Sequence, residues 1–250
     1  MELRELVEYT NALLDVDSFS DYAPNGLQVE GRRDVRVLVT GVTASQALLD
    51  AAIAEGADAI LVHHGYFWKG EDARVVGMKA ARLRTLLSAD VSLLAYHLPL
   101  DAHPELGNNR QLANRLGIRL EGSIDTDTRP PVGVWGRLDH PLSGEEFADR
   151  LAAVLQRQPI HVPAERRIER VGLCTGAGQR FIDTAAAEGM DAYVSGEISE
   201  PTAHSAREQG LHYFAAGHHA TERYGVQALG AHLAAHFGLT HRFIDIDNPA

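Results

Sequence analysis

Residues 35–64 read VRVLVTGVTASQALLDAAIAEGADAILVHH, and this stretch predicts a strand, a helix and a second strand. Aliphatic and β-branched residues dominate 35–40 and 59–63, as expected of strands. The segment 45–55 between them has the composition and length of a helix, and Gly56 directly follows its end. A strand–helix–strand unit of this kind predicts two parallel strands joined by a helical crossover.

The same alternation continues along the chain. Further runs of strand composition lie at 91–96, 132–138, 170–174, 191–194, 211–215 and 241–246. Helical patterns lie at 3–14, 78–87, 109–116, 143–156, 181–188, 201–209 and 220–237. The helix that follows Ser143 begins with a capping box, because Glu146 stands three residues later. Alternating strands and helices predict an α/β fold with mostly parallel sheets.

An internal repeat accompanies this alternation. The residues AEGADA at 54–59 recur as AEGMDA at 187–192, an offset of 133. A second match, VLVTG at 37–41 against VGLCT at 171–175, is shifted by one further residue. The shared order of the matches predicts a duplication. The alternative is that AEG-x-DA is a common helix-to-strand turn that happens to occur twice.

We expect two duplicated βα halves at residues 1–124 and 125–250. The polar segment 124–131 (IDTDTRPP) ends in two prolines and predicts the linker between them. Each half carries two motifs, HHG (63–65) and YHLPLD (96–101) in the first and SGE (195–197) and GHHATE (217–222) in the second.

Charge and composition exclude several classes of protein. The 23 Lys+Arg against 34 Asp+Glu give a net charge of −11, which argues against a generic nucleic-acid or anionic-membrane binder, although a local basic site is still allowed. The single cysteine, Cys174, excludes a disulfide framework and a cysteine-rich zinc module and fits a reducing compartment. The start, MELRELVEYTNALL, lacks the apolar core of a signal peptide, and no apolar run reaches the ~18 residues of a membrane span. We therefore expect a cytoplasmic protein with no membrane partner.

The 13 histidines are the unusual feature of the composition, and two of them directly follow a predicted strand. Ligands bind at the carboxyl ends of strands in open α/β sheets, which is where His63 and His64 stand. Because adjacent residues leaving a strand point in different directions, this pair suits two metal ions better than one. His97 and Asp101 follow the next strand, and Pro99 predicts a loop rather than a helix at Asp101. The alternatives are strand-end histidines exposed to solvent and an aspartate that caps a turn.

The motif GHHATE places His218 and Glu222 four residues apart, at the start of the helix predicted over 220–237. That spacing puts an imidazole and a carboxylate on one helical face, one turn apart, where both can bind a single cation. The alternative is an ordinary surface pair of histidine and glutamate.

Three predicted strand ends together supply nitrogen and oxygen donors without sulfur. The candidate metal ligands are His63, His64, Asp101, His218 and Glu222. Such a set suits zinc, manganese or iron. Five donors exceed what one four-coordinate zinc needs, so we expect two divalent metal ions per chain, bound at the strand carboxyl ends between the halves.

At these residues the chain resembles a known family, the YbgI-like dinuclear-metal proteins named GTP cyclohydrolase 1 type 2 homologues. The resemblance spans the whole chain and rests on motifs in a fixed order: NGLQ (25–28), HHG (63–65) with Phe67-Trp68, Tyr96-His97-x-Pro99-x-Asp101, GNN (107–109), SGE (195–197) and GHHATE (217–222). It implies the same five metal ligands, with no substitution among them. It also implies the short bacterial form of the family and assembly as a homohexameric toroid.

The resemblance further implies a metal-dependent hydrolase that acts on a nucleotide or a purine- or pterin-like substrate through a metal-activated water. In a GTP cyclohydrolase reaction, hydroxide attacks C8 of guanine, formate leaves, and a general acid delivers protons to ring nitrogen. His97 is the candidate for that catalytic acid, since it lies near the ligands in sequence and is not needed as one; alternatively, it orients Asp101. The alternative of a different class is a non-enzymatic metal-binding ring that docks a partner or nucleic acid.

Overall fold

The structure, a computed structural model, describes residues 1–124 and 130–250. Its strands are β1 (Gly26–Val29), β2 (Val37–Thr43), β3 (Ala59–His64), β4 (Ser92–Ala95), β5 (Ile118–Ser123), β6 (Val134–Leu142), β7 (Ile160–Val162), β8 (Ile168–Cys174), β9 (Ala192–Ser195), β10 (His212–Ala215) and β11 (Thr240–Phe243). Its α-helices are α1 (Leu3–Leu13), α2 (Gln46–Ala54), α3 (Gly77–Ala89), α4 (Leu98–Ala102), α5 (Asn108–Leu116), α6 (Gly144–Leu155), α7 (Ile182–Ala187), α8 (Glu200–Glu208), α9 (His218–Thr221) and α10 (Arg223–Phe237). Among the helices of these two ranges, none has both the length and the apolar character needed to cross a membrane.

The described residues form two compact units. The first unit comprises Met1–His103 and Gly225–Asp247, and the second comprises Pro104–Tyr224 and Asn248–Ala250. Each unit is built around one β-sheet.

These units differ from the halves expected at 1–124 and 125–250. A single division point cannot describe them, because β11 pairs in parallel with β2 and so returns a late segment of the chain to the first unit. Of the predicted linker 124–131, residues 125–129 lie outside the described residues.

The first unit has a five-stranded sheet in the order β1-β4-β3-β2-β11. Four of these strands run parallel, and β1 lies antiparallel to β4 at one edge. The core beneath the sheet is aliphatic, and the side chains of Leu49, Ile60, Leu86 and Leu93 are fully buried. Each such burial stabilises the fold by about 1.5–3 kcal/mol. The predicted parallel α/β architecture is confirmed in this unit.

The second unit has a six-stranded sheet in the order β5-β6-β8-β9-β10-β7. Only the central strands β8, β9 and β10 run parallel, and the other three pairings are antiparallel. Its core includes Phe147 and Leu151 of α6 together with Val194 and Phe214 of the sheet. The second sheet is therefore mixed, since β5, β6 and β7 contribute antiparallel pairings on either side of a parallel centre.

A repeated strand–helix–strand–helix–strand core lies at the centre of both units. Leu38 pairs with Ala59 in the first unit, and Val171 pairs with Ala192 in the second, so both partners are displaced by the same 133 residues. The edge strands repeat as well, because β1 is antiparallel to β4 and β7 is antiparallel to β10. The predicted duplication of βα units is confirmed. The sequence match of 37–41 with 171–175 is displaced by 134 residues, whereas the strand pairing aligns Leu38 with Val171, at the same displacement of 133 as the rest of the repeat.

One aspartate anchors the first strand of this core in both units. Oδ2 of Asp58 accepts hydrogen bonds from the backbone N–H groups of residues 36 and 37, at 2.9 and 3.0 Å. Oδ2 of Asp191 accepts equivalent bonds from residues 169 and 170, at 3.0 and 2.8 Å. These are the aspartates of the repeated AEG-x-DA sequence. The repeated sequence therefore forms a turn and also holds the first strand of the core in register, β2 in one unit and β8 in the other.

Three strands, β1, β5 and β7, were not predicted from the sequence. The strands β1 and β7 have only four and three residues, and β1 lies in a stretch rich in turn-forming residues. Their hydrogen bonds to neighbouring strands, rather than their own composition, make them strands.

Asp58→Ala and Asp191→Ala are each expected to lower the free energy of unfolding by about 1–3 kcal/mol, because each leaves two backbone N–H groups without their acceptor. Urea unfolding followed by circular dichroism measures the loss. Asp72→Ala is the control, since the exposed Asp72 pairs with the exposed Arg74, and we expect it to cost less than about 0.5 kcal/mol. Variants at Asp58 and Asp191 as stable as this control would contradict the anchoring role.

Candidate metal centre

His63 lies near the end of β3, and its side chain is fully buried. Its Nδ1 lies 2.9 Å from the backbone oxygen of Tyr96. Because a carbonyl oxygen can only accept, Nδ1 carries a proton, and in the neutral ring Nε2 is then the nitrogen with the lone pair. Nε2 lies 3.5 Å from Oδ1 of Asp101. A backbone acceptor that fixes the tautomer in this way is typical of histidines that bind metal through the other nitrogen.

Asp101 is buried and lies in the short helix α4. The loop expected at this position is therefore wrong. Pro99 lies in the first turn of α4, where its missing N–H is not needed and its fixed φ suits a helix. The N–H of Asp101 donates to the backbone oxygen of His97 at 3.1 Å, which closes the turn. Helix geometry thus brings the carboxylate of Asp101 to the ring of His63.

His63, His64 and His97 form a group of three imidazoles in the first unit. Their ring centroids are separated by 4.6 Å (63 to 64), 5.1 Å (63 to 97) and 5.7 Å (64 to 97). One nitrogen of each ring lies within 4.8 Å of a nitrogen of both others. The proposed general acid, His97, therefore lies among the candidate ligands of this unit, and the indole of Trp68 packs edge-on against it at 5.1 Å.

Asp21 and Asn25 hold His97 in place. Oδ1 of Asp21 accepts a hydrogen bond from Nδ1 of His97 at 2.7 Å, and Oδ2 accepts one from the N–H of Leu98 at 2.9 Å. Oδ1 of Asn25 accepts from the N–H of His97 at 2.7 Å. Burial raises the pKa of Asp21, but its hydrogen bonds, chiefly the one from His97, outweigh burial and lower the pKa to about 2. Asn25 belongs to the NGLQ motif, whereas no pattern in the sequence singles out Asp21.

His218 and Glu222 form a second imidazole–carboxylate pair, in the second unit. Nε2 of His218 lies 3.2 Å from Oε2 of Glu222, which is buried. Nδ1 of His218 lies 2.7 Å from Oε1 of Glu197. Burial lowers the pKa of His218, but the carboxylates of Glu222 and Glu197 outweigh burial and raise the pKa to about 9. Glu197 comes from the SGE motif and stands 133 residues after His64, so the repeat could have indicated its role.

Backbone irregularities position this second pair. Gly217, at φ +98°, precedes α9, and α10 begins only after Glu222, so the single helix expected over 220–237 is interrupted at Glu222. Gly176 lies in the turn that follows β8, and a Cβ at this position would collide with the carboxylate of Glu222. The turn that contains Gly176 therefore leaves room for a side chain of the site.

The predicted ligands thus occur in two groups, His63, His64 and Asp101 in the first unit and His218 and Glu222 in the second. Both groups combine imidazole nitrogen with a buried carboxylate, a donor set that fits zinc, manganese or iron. Binding of the same ions by both groups is a prediction from the sequence.

Comparison with known proteins identifies the family of the chain. The Duf34/NIF3 (NGG1p interacting factor 3) family matches residues 1–249. The chain belongs to the Duf34/NIF3 family. The resemblance to the YbgI-like proteins that the motifs indicate is therefore confirmed.

Two bacterial members of the Duf34/NIF3 family carry the name GTP cyclohydrolase 1 type 2 homolog. The one from Pseudomonas aeruginosa is 56% identical over 99% of this chain and 98% of its own length. The one from Escherichia coli K12 is 55% identical over 100% of both chains. Among solved structures, the protein ybgI, described as of unknown function, is 55% identical with a TM-score of 0.96, and a protein from Thermus thermophilus is 37% identical with a TM-score of 0.90. Both cover 100% of this chain and of their own.

Asp21→Asn is expected to destabilise the metal-free protein by about 2 kcal/mol at pH 7, because the pKa of Asp21 falls from 3.8 to about 2 on folding. A lowered carboxyl pKa stabilises the fold above the unfolded value and loses this effect as the pH falls through the folded value. The difference from wild type should therefore shrink between about pH 4 and pH 2. Urea unfolding across this range, after treatment with a chelator, measures it.

The matched control for this experiment is Asp17→Asn, since Asp17 is exposed in the short 3-10 helix Val16–Ser18 that precedes Asp21. A difference between Asp21→Asn and wild type that is constant from pH 7 to pH 2 would show that the charge of Asp21 is not what holds His97.

Proposed function

We propose that the protein binds two divalent metal ions per chain through His63, His64, Asp101, His218 and Glu222, and that it hydrolyses a nucleotide or a purine- or pterin-like substrate. The proposal includes that the two groups of ligands bind one shared pair of ions. Zinc, manganese and iron are the ions that fit these donors.

A single observation carries the proposal: two buried carboxylates each lie beside an imidazole whose other nitrogen is already engaged. Nδ1 of His63 donates to a carbonyl oxygen, and Nδ1 of His218 lies beside Glu197. In both cases Nε2 is the nitrogen that lies near the buried carboxylate. Burial of these carboxylates is costly unless a cation compensates them. Beside Glu222 the imidazole of His218, whose pKa is raised to about 9, supplies positive charge, and a bound divalent ion would compensate both Asp101 and Glu222.

Divalent ions bound there would polarise the attacked bond and lower the pKa of a water molecule. Around them, the chain supplies orientation and proton transfer. Thr43 lies 3.3 Å from His64 through its hydroxyl, Asp21 orients the ring of His97, and Glu197 orients that of His218. Because Nδ1 of His97 is bonded to Asp21, Nε2 is the nitrogen that exchanges a proton with the leaving group of the substrate.

The name shared by the relatives supports a purine nucleotide as the first substrate to test. Assembly as a homohexameric ring is part of the same proposal and comes from the resemblance to the YbgI-like proteins.

Metal-replete protein is expected to contain two equivalents of divalent ion per chain by elemental analysis. Asp101→Asn and Glu222→Gln should each lose at least one equivalent, because each removes a carboxylate ligand. Glu200→Gln, which changes an exposed glutamate of α8, is the control and should retain both equivalents. One equivalent or fewer in wild type would contradict the dinuclear centre.

Metal-reconstituted protein is expected to release formate or phosphate from at least one member of a panel of nucleotides and pterins. His97→Gln should lower kcat about 10²-fold or more with unchanged metal content, because it removes the proton donor. His204→Gln, on the exposed face of α8, is the matched control and should leave kcat unchanged. Loss of metal in His97→Gln would make His97 a ligand, and wild type with two ions but no turnover would favour the non-enzymatic ring.

A further inference from the structure

Arg157 lies against the residue that precedes the candidate ligand His218. It follows α6 and comes three residues before β7, whose first residue, Ile160, pairs with Ala215 at the carboxyl end of β10. Its guanidinium packs on the backbone of Gly217, where an added Cβ would lie 2.8 Å from Nε and 3.1 Å from Cζ. Arg157 is half-buried. The chain therefore holds a cationic side chain at the carboxyl edge of the second sheet.

The duplication shows what occupies this place in the first unit. Ala95 of β4 and Ala215 of β10 hold equivalent positions against their edge strands, so Gly217 corresponds to His97. In the first unit, the segment before the edge strand supplies Asp21, which accepts a hydrogen bond from His97. In the second unit, the corresponding segment supplies Arg157, and the missing side chain of Gly217 leaves space for it. The pair of Asp21 and His97 in the first unit thus corresponds to Arg157 and Gly217 in the second unit.

The charge of Arg157 is not neutralised by an acidic neighbour within the described part of the chain. Among residues 1–124 and 130–250, no carboxylate forms an ion pair with Arg157, although the chain has 34 acidic residues. Arg137, a half-buried arginine of β6, has such a partner in Glu169 at 2.8 Å. A guanidinium that is partly withdrawn from water and lacks an internal counter-charge is suited to bind an anion from outside.

We propose that Arg157 binds the phosphoryl group of the substrate and so selects phosphorylated substrates over their dephosphorylated forms. This rests on the proposed function for the identity of the substrate, but the anion site itself requires only the residues of the second unit. Arginine suits this role because its planar, forked N–H groups bind two oxygens of a phosphoryl group at once. The position next to His218 places the anchored group beside candidate metal ligands.

Titration calorimetry with inorganic phosphate tests the site directly, on full-length protein with its metal content as purified and measured in every variant. Arg157→Gln is expected to weaken phosphate binding about tenfold or more, since it removes a charge-assisted pair of hydrogen bonds. Arg157→Lys keeps the charge without the fork and should lie between Arg157→Gln and wild type. Arg207→Gln, which removes an exposed arginine of α8 in the same unit, should bind phosphate within about twofold of wild type.

Two results would overturn the assignment: wild type that binds no phosphate up to about 10 mM, or phosphate affinity in Arg157→Gln equal to that of wild type. If Arg157→Gln does not fold, as judged by its circular dichroism, the same comparison is made with Arg157→Lys, and equal affinity there overturns it. The outcome is separable from that of the proposed function. Loss of phosphate binding in a protein without turnover supports the anion site alone, whereas turnover with unchanged phosphate binding in the variant supports the hydrolase alone.

Discussion

The hydrogen bonds that Asp58 and Asp191 accept from the preceding strand are the constraint on which both units depend. They fix the register of the central parallel strands, and that register decides which residues leave each sheet at its carboxyl edge. Because side chains alternate between the two faces of a strand, a slip of one residue would turn His63 away from Asp101 and bury its neighbour instead. The chemistry at one end of the strand thus depends on a carboxylate at the other end.

Equivalent positions of the repeat have acquired different chemistry. His64 corresponds to Glu197, and His97 corresponds to Gly217. At these two positions the first unit has imidazoles, whereas the second has a carboxylate and a glycine. In both units a histidine is followed four residues later by a carboxylate, His97 by Asp101 and His218 by Glu222. The two pairs do not hold equivalent positions, because His97 corresponds to Gly217 rather than to His218.

The sequence was sufficient for the parts of the molecule that depend on periodicity and local spacing. The central strands, the capping box at Ser143 and the repeat were predicted, because each depends on residues close together in the chain. Features that depend on residues distant in the chain were not predicted. The strands β1 and β7 exist through pairing with β4 and β10. The role of Asp21 depends on a hydrogen bond to a residue 76 positions away. Proline disrupts the interior of a helix but is tolerated in its first turn, and Pro99 lies in the first turn of α4. The predicted loop at Asp101 is wrong for this reason.

The return of the chain to the first sheet has a consequence for synthesis on the ribosome. The strand β11 completes the edge of that sheet beside β2, yet it follows the whole of residues 104–224, which fold into the other unit. During translation, β2 therefore exposes unpaired backbone groups for as long as this intervening segment is being made. An open edge of this kind can pair with another nascent chain. The sheet of the first unit, although it begins earlier, is therefore completed only after every strand of the second sheet has been synthesised.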